Sequence, residues 1–192
     1  MHQFFGYLSA ITVIASFIPY IASMLRRKAK PERASWFIWT MLGSIAFFSQ
    51  LAKGATNSLW LPAMQTLGDA MIFILSIKFG MGGWHPRDKI AFSAVLAGLA
   101  LWYFTKNAAS ALFAVIAIDA SGGILTIIKS NEHPATEPFS AWLLTCLAGL
   151  AGIFAVQNLN WILLAFPIYT FVMNAIIIAI IFWQRETAPA RA

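Results

Sequence analysis

The sequence predicts an all-α integral membrane protein in which seven transmembrane helices form two parallel three-helix bundles joined by an inversion-linker helix. Three observations predict this fold. Of the 192 residues, 60% are hydrophobic and only 10% are charged, whereas about a quarter of the residues of a soluble domain are charged. The basic residues are confined largely to alternate loops. The second half of the chain also repeats features of the first half.

The apolar stretches define the helices. Seven of them are long enough, at about 20 residues each, to cross the roughly 30 Å hydrocarbon core of a bilayer. They lie at 5–25, 34–52, 58–80, 89–105, 109–128, 138–157 and 160–183. They divide the chain into a first bundle at 1–82, a linker helix at 83–107, and a second bundle with a short cytoplasmic tail at 108–192. We therefore expect function to reside within the bundle and not in a separate soluble domain.

The charges predict the orientation of these helices. Eleven of the 13 lysine and arginine residues fall on one side of the predicted membrane, and only Lys53 and Lys106 on the other. Because basic loops favour the cytoplasm, the N-terminus is predicted outside and the C-terminus inside, in a membrane that we expect to be a bacterial inner membrane. The first apolar stretch has no basic residue before Arg26, unlike a secretory signal. The net charge of +6 is interpreted as a topology determinant that contacts anionic lipids, which argues against nucleic-acid binding.

An internal repeat relates the two halves. A shift of 105 residues superposes residues 15–79 on 120–184 without a gap and with eleven identical positions. The most informative match lies in the third helix of each half, where PAMQTLGDA aligns with PIYTFVMNA. Spacings of three and four residues place the matched side chains on one helix face. The matched pairs are Pro62 and Pro167, Gln65 and Thr170, and Asp69 and Asn174.

The arrangement of three helices, a linker and three helices makes the halves parallel, related by an axis near the membrane normal. In the first half, Pro19 in the first helix precedes a basic loop and a second helix that begins with Trp36 and Trp39. This segment and the topology resemble the SWEET, MtN3 and PQ-loop transporter families, although Pro19-Tyr20 stands where a PQ-loop has Pro-Gln. The resemblance implies a transporter that moves a small polar solute, such as a sugar, by alternating access through a central midplane site.

The resemblance also implies the residues that hold the solute. In these families an asparagine on the third helix of each half contacts the substrate, a position that Asn174 matches in the second half and Asp69 in the first. Gln65 and Thr170 would assist them. Unlike an amide, an ionised carboxylate only accepts hydrogen bonds. Asp69 is therefore compatible with a sugar hydroxyl but favours a solute that carries an amine, such as an amino acid.

Other candidates lie at the outer ends of the helices. The families place a further partner near the end of the second helix, which implies Lys53 and Asn158 here. Lys53 pairs with Asp69 in one interpretation and extends its amine to the outer surface in the other. Trp60 and Trp161 are candidates for stacking on the solute. Their positions at the starts of third helices equally fit the aromatic belt of the membrane interface.

Asp69 and Asp119 are the two carboxylates near the middle of predicted spans. A charged side chain there costs about 2.5–3.5 kcal/mol on insertion scales and usually marks function. Asp119 shares a helix face with Gly122, Gly123 and Thr126. It has three interpretations: a structural bond to another helix, contact with the solute, and proton coupling, as in some PQ-loop transporters. Removal from water favours the neutral form of a carboxylic acid, so Asp119 and Asp69 are both proton-coupling candidates.

The remaining predictions concern hinges and partners. Pro19, Pro62 and Pro167 are hinge candidates, because rocking of two bundles requires local bending, while static kinks are the alternative. The sequence carries no familiar catalytic or metal-binding motif, so we predict that the protein is not an enzyme and holds no metal or cofactor. Its predicted partners are a small-molecule solute and membrane lipids. A proton-coupled amine carrier, a ligand receptor of the same fold, and assembly as a homo-oligomer are left open.

Overall fold

A computed structural model gives the architecture. It describes residues 1–27, 31, 33–80, 89, 92–93, 96–97, 100, 103–104, 107–132, 138–157 and 159–187. These residues contain helices and no strand. The six helices are α1 (His2–Leu25), α2 (Arg33–Ala52), α3 (Trp60–Phe79), α4 (Ala108–Glu132), α5 (Phe139–Ala155) and α6 (Trp161–Thr187), and a 3₁₀ turn at Asn57–Leu59 leads into α3. The prediction of an all-helical chain is confirmed, and each helix boundary lies within four residues of its prediction.

Three helical segments are long and apolar enough to cross a membrane, namely His2–Leu25, Asn57–Phe79 and Trp161–Gln184. Shorter apolar helices run over Trp36–Ala52, Ala109–Ala120 and Phe139–Ala155. These lengths and compositions are compatible with a membrane protein. The predicted linker helix at 89–105 is described at only eight residues, all of them helical, so the seven-helix arrangement stays a prediction.

Local sequence signals set several helix ends. The Asn160 side-chain oxygen accepts hydrogen bonds from the backbone N–H groups of Ile162 and Leu163, at 3.0 and 3.4 Å, and so caps the start of α6. Asn107 caps α4 in the same way through the N–H of Ala109, at 3.0 Å. Asparagine is among the preferred N-cap residues because its oxygen satisfies amides that have no partner within the helix. Beyond α2 the chain turns at Gly54, whose positive φ of 80° suits glycine.

The six helices form a closed ring, because each packs mainly against two neighbours. The order around the ring is α1, α3, α2, α4, α6 and α5, and α5 then contacts α1 again. Within each half the third helix thus lies between the first and the second. Between the halves, the first helix of one packs against the second helix of the other, at α1–α5 and α2–α4. Replacing each helix by its equivalent from the other half leaves this order around the ring unchanged.

Within each half, a glycine on the second helix lets the third helix approach closely. A Cβ added to Gly43 on α2 would lie 2.4 Å from Oγ1 of Thr66 on α3. A Cβ added to Gly149 on α5 would lie 2.6 Å from the backbone nitrogen of Phe171 on α6. Thr66 and Phe171 are separated by the repeat shift of 105 residues. Glycine permits such close helix packing, although the two glycines are one position out of register, because the shift of 105 residues carries Gly43 to Ala148.

Small side chains also bring the halves together along α1 and α5. The buried residues of α1 include Ala10, and those of α5 include Ala148, Ala151 and Ala155. Small residues let two helix backbones approach and gain van der Waals contact. An apolar core continues through the ring with contributions from all six helices. These include Val13, Leu42, Leu61, Leu112, Ala148 and Phe166.

One end of the molecule, called the His2 end, holds the starts of α1, α3, α4 and α6. There His2 donates from Nδ1 to the carbonyl oxygen of Phe154 at 2.9 Å, and the Phe5 and Phe154 rings lie 5.1 Å apart. A small apolar group that we call the Ala55 cluster joins the two halves at this end. Its members are Ala55, Leu59, Val156, Leu163 and Leu164.

Candidate functional site

Asp69 on α3 and Asn174 on α6 are both buried, although both are polar. Asp69 is 8% exposed and Asn174 is 7% exposed. One turn further along each helix, the equivalent residues Ile72 and Ile177 are 0% and 1% exposed. The same face of the third helix is therefore turned into the protein in both halves. Polar groups in such a position usually serve a function.

The polar atoms of this face are largely uncommitted. Among the described residues, no hydrogen bond to the Asp69 carboxylate is found. The side-chain oxygens of Gln65 and Asn174 are buried without a partner there. The Asn174 amide nitrogen already donates to the carbonyl oxygen of Thr170, which is 2% exposed, at 2.7 Å. Since the unpartnered buried atoms of α3 and α6 are acceptors, they suit a molecule that presents hydroxyl or ammonium donors.

Asp119 on α4 accepts a hydrogen bond from the Tyr169 hydroxyl on α6. This bond fixes Asp119 against the neighbouring helix, as its structural interpretation requires. Its contact with the solute and its role in proton coupling stay predictions.

A shallow apolar groove of about 360 Å³ lies between α4 and α6. Its lining includes Phe113, Ile116, Ala165 and Val172, and Tyr169 is the polar member. Phe113 and Val172 are 51% and 46% exposed. The groove therefore opens on the outside of the bundle, and neither Asp69 nor Asn174 lines it. It is a different feature from the predicted central cavity.

The other candidates lie near the His2 end. Trp60 is 38% exposed and its ring is 5.3 Å from that of Tyr7. Trp161 is 71% exposed at the start of α6, so the structure does not bring it beside Asp69 or Asn174. These placements favour the aromatic-belt interpretation. Lys53 is exposed in the turn after α2, and no bond joins it to Asp69 in the described part of the chain. Asn158 lies outside the described residues.

The three hinge candidates occupy different helix positions. Pro19 and Pro167 lie inside α1 and α6, respectively. Pro62 is the third residue of α3, in the first turn, where proline is tolerated because the amide has no helical partner to lose. The Pro167 side chain lies against α5, since a Cβ added to Gly152 would be 3.3 Å from the Pro167 Cβ. Both helices continue through their internal prolines.

Sequence reasoning missed three polar residues. Tyr169 lay within the quoted repeat, but its partner Asp119 belongs to another helix. Ser49 and Gln50 are both 0% exposed, and their side-chain polar atoms lack partners among the described residues. Their sequence signal was weak, because they stand three or fewer residues before the end of α2, where polar side chains ordinarily reach water.

Comparison with known proteins adds no relative. No family model matches this chain, and no curated protein or solved structure matches it.

Proposed function

We propose that this protein is a membrane carrier that moves a small polar solute through a central site between two three-helix bundles. The observation that carries the proposal is the burial of Asp69 and Asn174 at equivalent positions of α3 and α6. These helices are apolar and long enough to span a membrane. A buried carboxylate and a buried amide are costly in such a setting, and solute binding gives both of them a purpose.

The proposed architecture is that of two parallel bundles joined by the helix at 89–105, with the His2 end outside the cell. It is supported by the exchangeable order of the ring, in which α1 meets α5 and α2 meets α4. It is supported further by the close approach of the second and third helices in each half, at Gly43 and at Gly149. Rocking of one bundle against the other would expose the central site to each side in turn, as alternating access requires.

The solute of this proposal is a small molecule rich in hydrogen-bond donors. Asp69, Gln65 and Asn174 offer acceptors, and the amide nitrogen of Asn174 is already committed to Thr170. A neutral sugar-like molecule fits through its hydroxyl groups. An ammonium group also fits, because its charge complements Asp69 and a hydrogen bond to a charged group is stronger than one between neutral groups. An amine-bearing solute such as an amino acid is therefore the second candidate.

Proton coupling is the proposed role of the two carboxylates when transport is driven. They are the described carboxylates that lie away from the helix ends, and a carboxylic acid can bind and release a proton. Asp119 is held by the Tyr169 hydroxyl, whereas Asp69 has no described hydrogen-bond partner and faces the proposed site. We expect Asp119→Asn to abolish gradient-driven uptake and to leave solute exchange intact.

The test is uptake into proteoliposomes of a panel of neutral sugars, amino acids and simple amines, with and without a pH gradient. We expect Asp69→Asn to reduce uptake of the transported amine at least about tenfold, because a charge-assisted hydrogen bond contributes about 1.5–3 kcal/mol. Asn131→Asp is the matched control, since it changes one amide to a carboxylate at an exposed end of α4, and we expect it to transport normally.

Two results would contradict this proposal. Binding of a solute by the purified protein without any flux would identify a receptor instead of a carrier. Equal uptake by the wild type and Asp69→Asn for every solute of the panel would remove Asp69 from the site. Transport of a sugar in preference to every amine of the panel would identify the solute as a neutral molecule.

A further inference from the structure

Gln50 is a fully buried residue that the proposed central site does not use. It is 0% exposed, and neither its amide nitrogen nor its amide oxygen has a hydrogen-bond partner in the described part of the chain. A buried polar group left unpaired costs about 1–3 kcal/mol, and in an apolar medium a whole amide costs more. Its equivalent in the second half is Ala155, also 0% exposed. Packing at this position therefore needs no amide.

The position of Gln50 connects it to the closure of the His2 end. Its backbone carbonyl oxygen accepts from the N–H groups of Lys53 and Ala55, at 3.1 and 3.0 Å. These bonds fold the chain back through Gly54, which has a φ of 80°. The turn thereby sets Ala55, which is 4% exposed, into the Ala55 cluster. That cluster holds residues of both halves, so separating the halves at this end requires it to open.

We propose that the Ala55 cluster closes the His2 end over Gln50, and that Gln50 is a solute-contacting residue which becomes accessible when this closure opens. The proposal rests on the proposed transport function and adds an outer contact to the central site. The Gln50 amide supplies N–H donors that the free acceptors of α3 and α6 lack. It therefore suits an oxygen acceptor of the solute, such as a hydroxyl or carboxylate group.

The first test measures access and does not depend on flux. Gln50→Cys is placed in a Cys146→Ala background, which removes the one cysteine of the chain, and is labelled from outside in proteoliposomes with a membrane-impermeant methanethiosulfonate. We expect labelling of Gln50→Cys at least about tenfold slower than of Lys53→Cys, which is exposed. Adding Leu163→Ala, which removes buried apolar volume from the Ala55 cluster, should raise the Gln50→Cys rate about tenfold.

The matched control is Ile181→Ala, which removes similar volume from the same helix near its opposite end, where Ile181 is 0% exposed. It should leave labelling of Gln50→Cys unchanged. Equal acceleration by Leu163→Ala and Ile181→Ala would indicate general loosening and would overturn the closure. Labelling of Gln50→Cys as fast as Lys53→Cys without either change would overturn it as well.

The second test separates solute contact from a structural role. Gln50→Leu keeps the side-chain size and removes the unpaired amide, so we expect the melting temperature to rise by about 2–4 °C. The KM for uptake should rise at least about tenfold. A lower melting temperature of Gln50→Leu would indicate a structural role for the amide, and an unchanged KM would exclude contact between Gln50 and the solute. Either result overturns the assignment of Gln50 as a solute-contacting residue. If the wild type moves no solute, the proposed transport function fails. The labelling rates and melting temperatures still test the closure over Gln50 and the role of its amide.

Discussion

The two halves of the molecule share their packing order but differ in the polar groups they bury. In each half the third helix lies between the first and the second, and the second helix approaches it closely at Thr66 or at its equivalent, Phe171. Three residues further along the helix, the first half has a carboxylate, Asp69, and the second half an amide, Asn174. The order of the helices is thus the same in both halves, while the buried polar groups differ.

Large and small side chains are exchanged between the halves. A Cβ added to Gly68 on α3 would lie 2.1 Å from the Phe17 ring on α1. In the second half Met173 stands at the position of Gly68, and a Cβ added to Gly123 on α4 would lie 2.7 Å from the Met173 sulfur. The large residue is Phe17 on the first helix in one half and Met173 on the third helix in the other. In both halves a large side chain thus fills the space beside a glycine between the first and third helices.

Changing the close contact between the second and third helices of the second half should have the largest effect. A Cβ at Gly149 would lie 2.6 Å from the backbone nitrogen of Phe171, and a backbone cannot rotate away. We expect Gly149→Ala to destabilise the protein by about 3 kcal/mol through overpacking, measured by thermal unfolding in detergent. Gly123→Ala is the control, because the flexible Met173 side chain can move. Equal melting temperatures for the two variants would contradict the close approach at Gly149.

Much of the fold follows from the sequence because long apolar runs have few alternatives to helix. The inward face of the third helices also follows from it, because Asp69 and Asn174 share their faces with Ile72 and Ile177. The Tyr169–Asp119 bond does not, since it depends on how α4 and α6 are rotated about their axes.

The burial of Gln50 could not be predicted for a related reason. The polar residues near the end of α2 ordinarily face water, and a periodic pattern alone does not reveal an enclosed amide. In the proposed closure, its enclosure depends on the backbone hydrogen bond from Ala55 and on the packing of Ala55 with Val156 from the other half. A contact between distant segments, with no local signature, decides the environment of this side chain.

Replacing the polar pair of the second half by its counterparts from the first half should have an intermediate effect. Ile14 and Met64 stand at the positions equivalent to Asp119 and Tyr169. We expect Tyr169→Met alone to cost about 1–2 kcal/mol, because Asp119 loses its donor. The double variant with Asp119→Ile should recover most of this stability, since no unpaired polar group remains. Additive losses in a double-mutant cycle would show that the bond contributes nothing.

The smallest effect is expected in the groove between α4 and α6. Ala165 lines this groove, and its equivalent in the first half is Trp60, whose ring packs on Tyr7 at 5.3 Å. Ala165→Trp should therefore occupy the groove. Because the groove is open, we expect the free energy of unfolding to change by no more than about 1 kcal/mol. The new ring would have no tyrosine to pack on, since the position equivalent to Tyr7 is the buried Leu112. Uptake should be unchanged, since neither Asp69 nor Asn174 lines the groove. Loss of uptake in a variant with a normal melting temperature would instead make the groove part of the solute pathway.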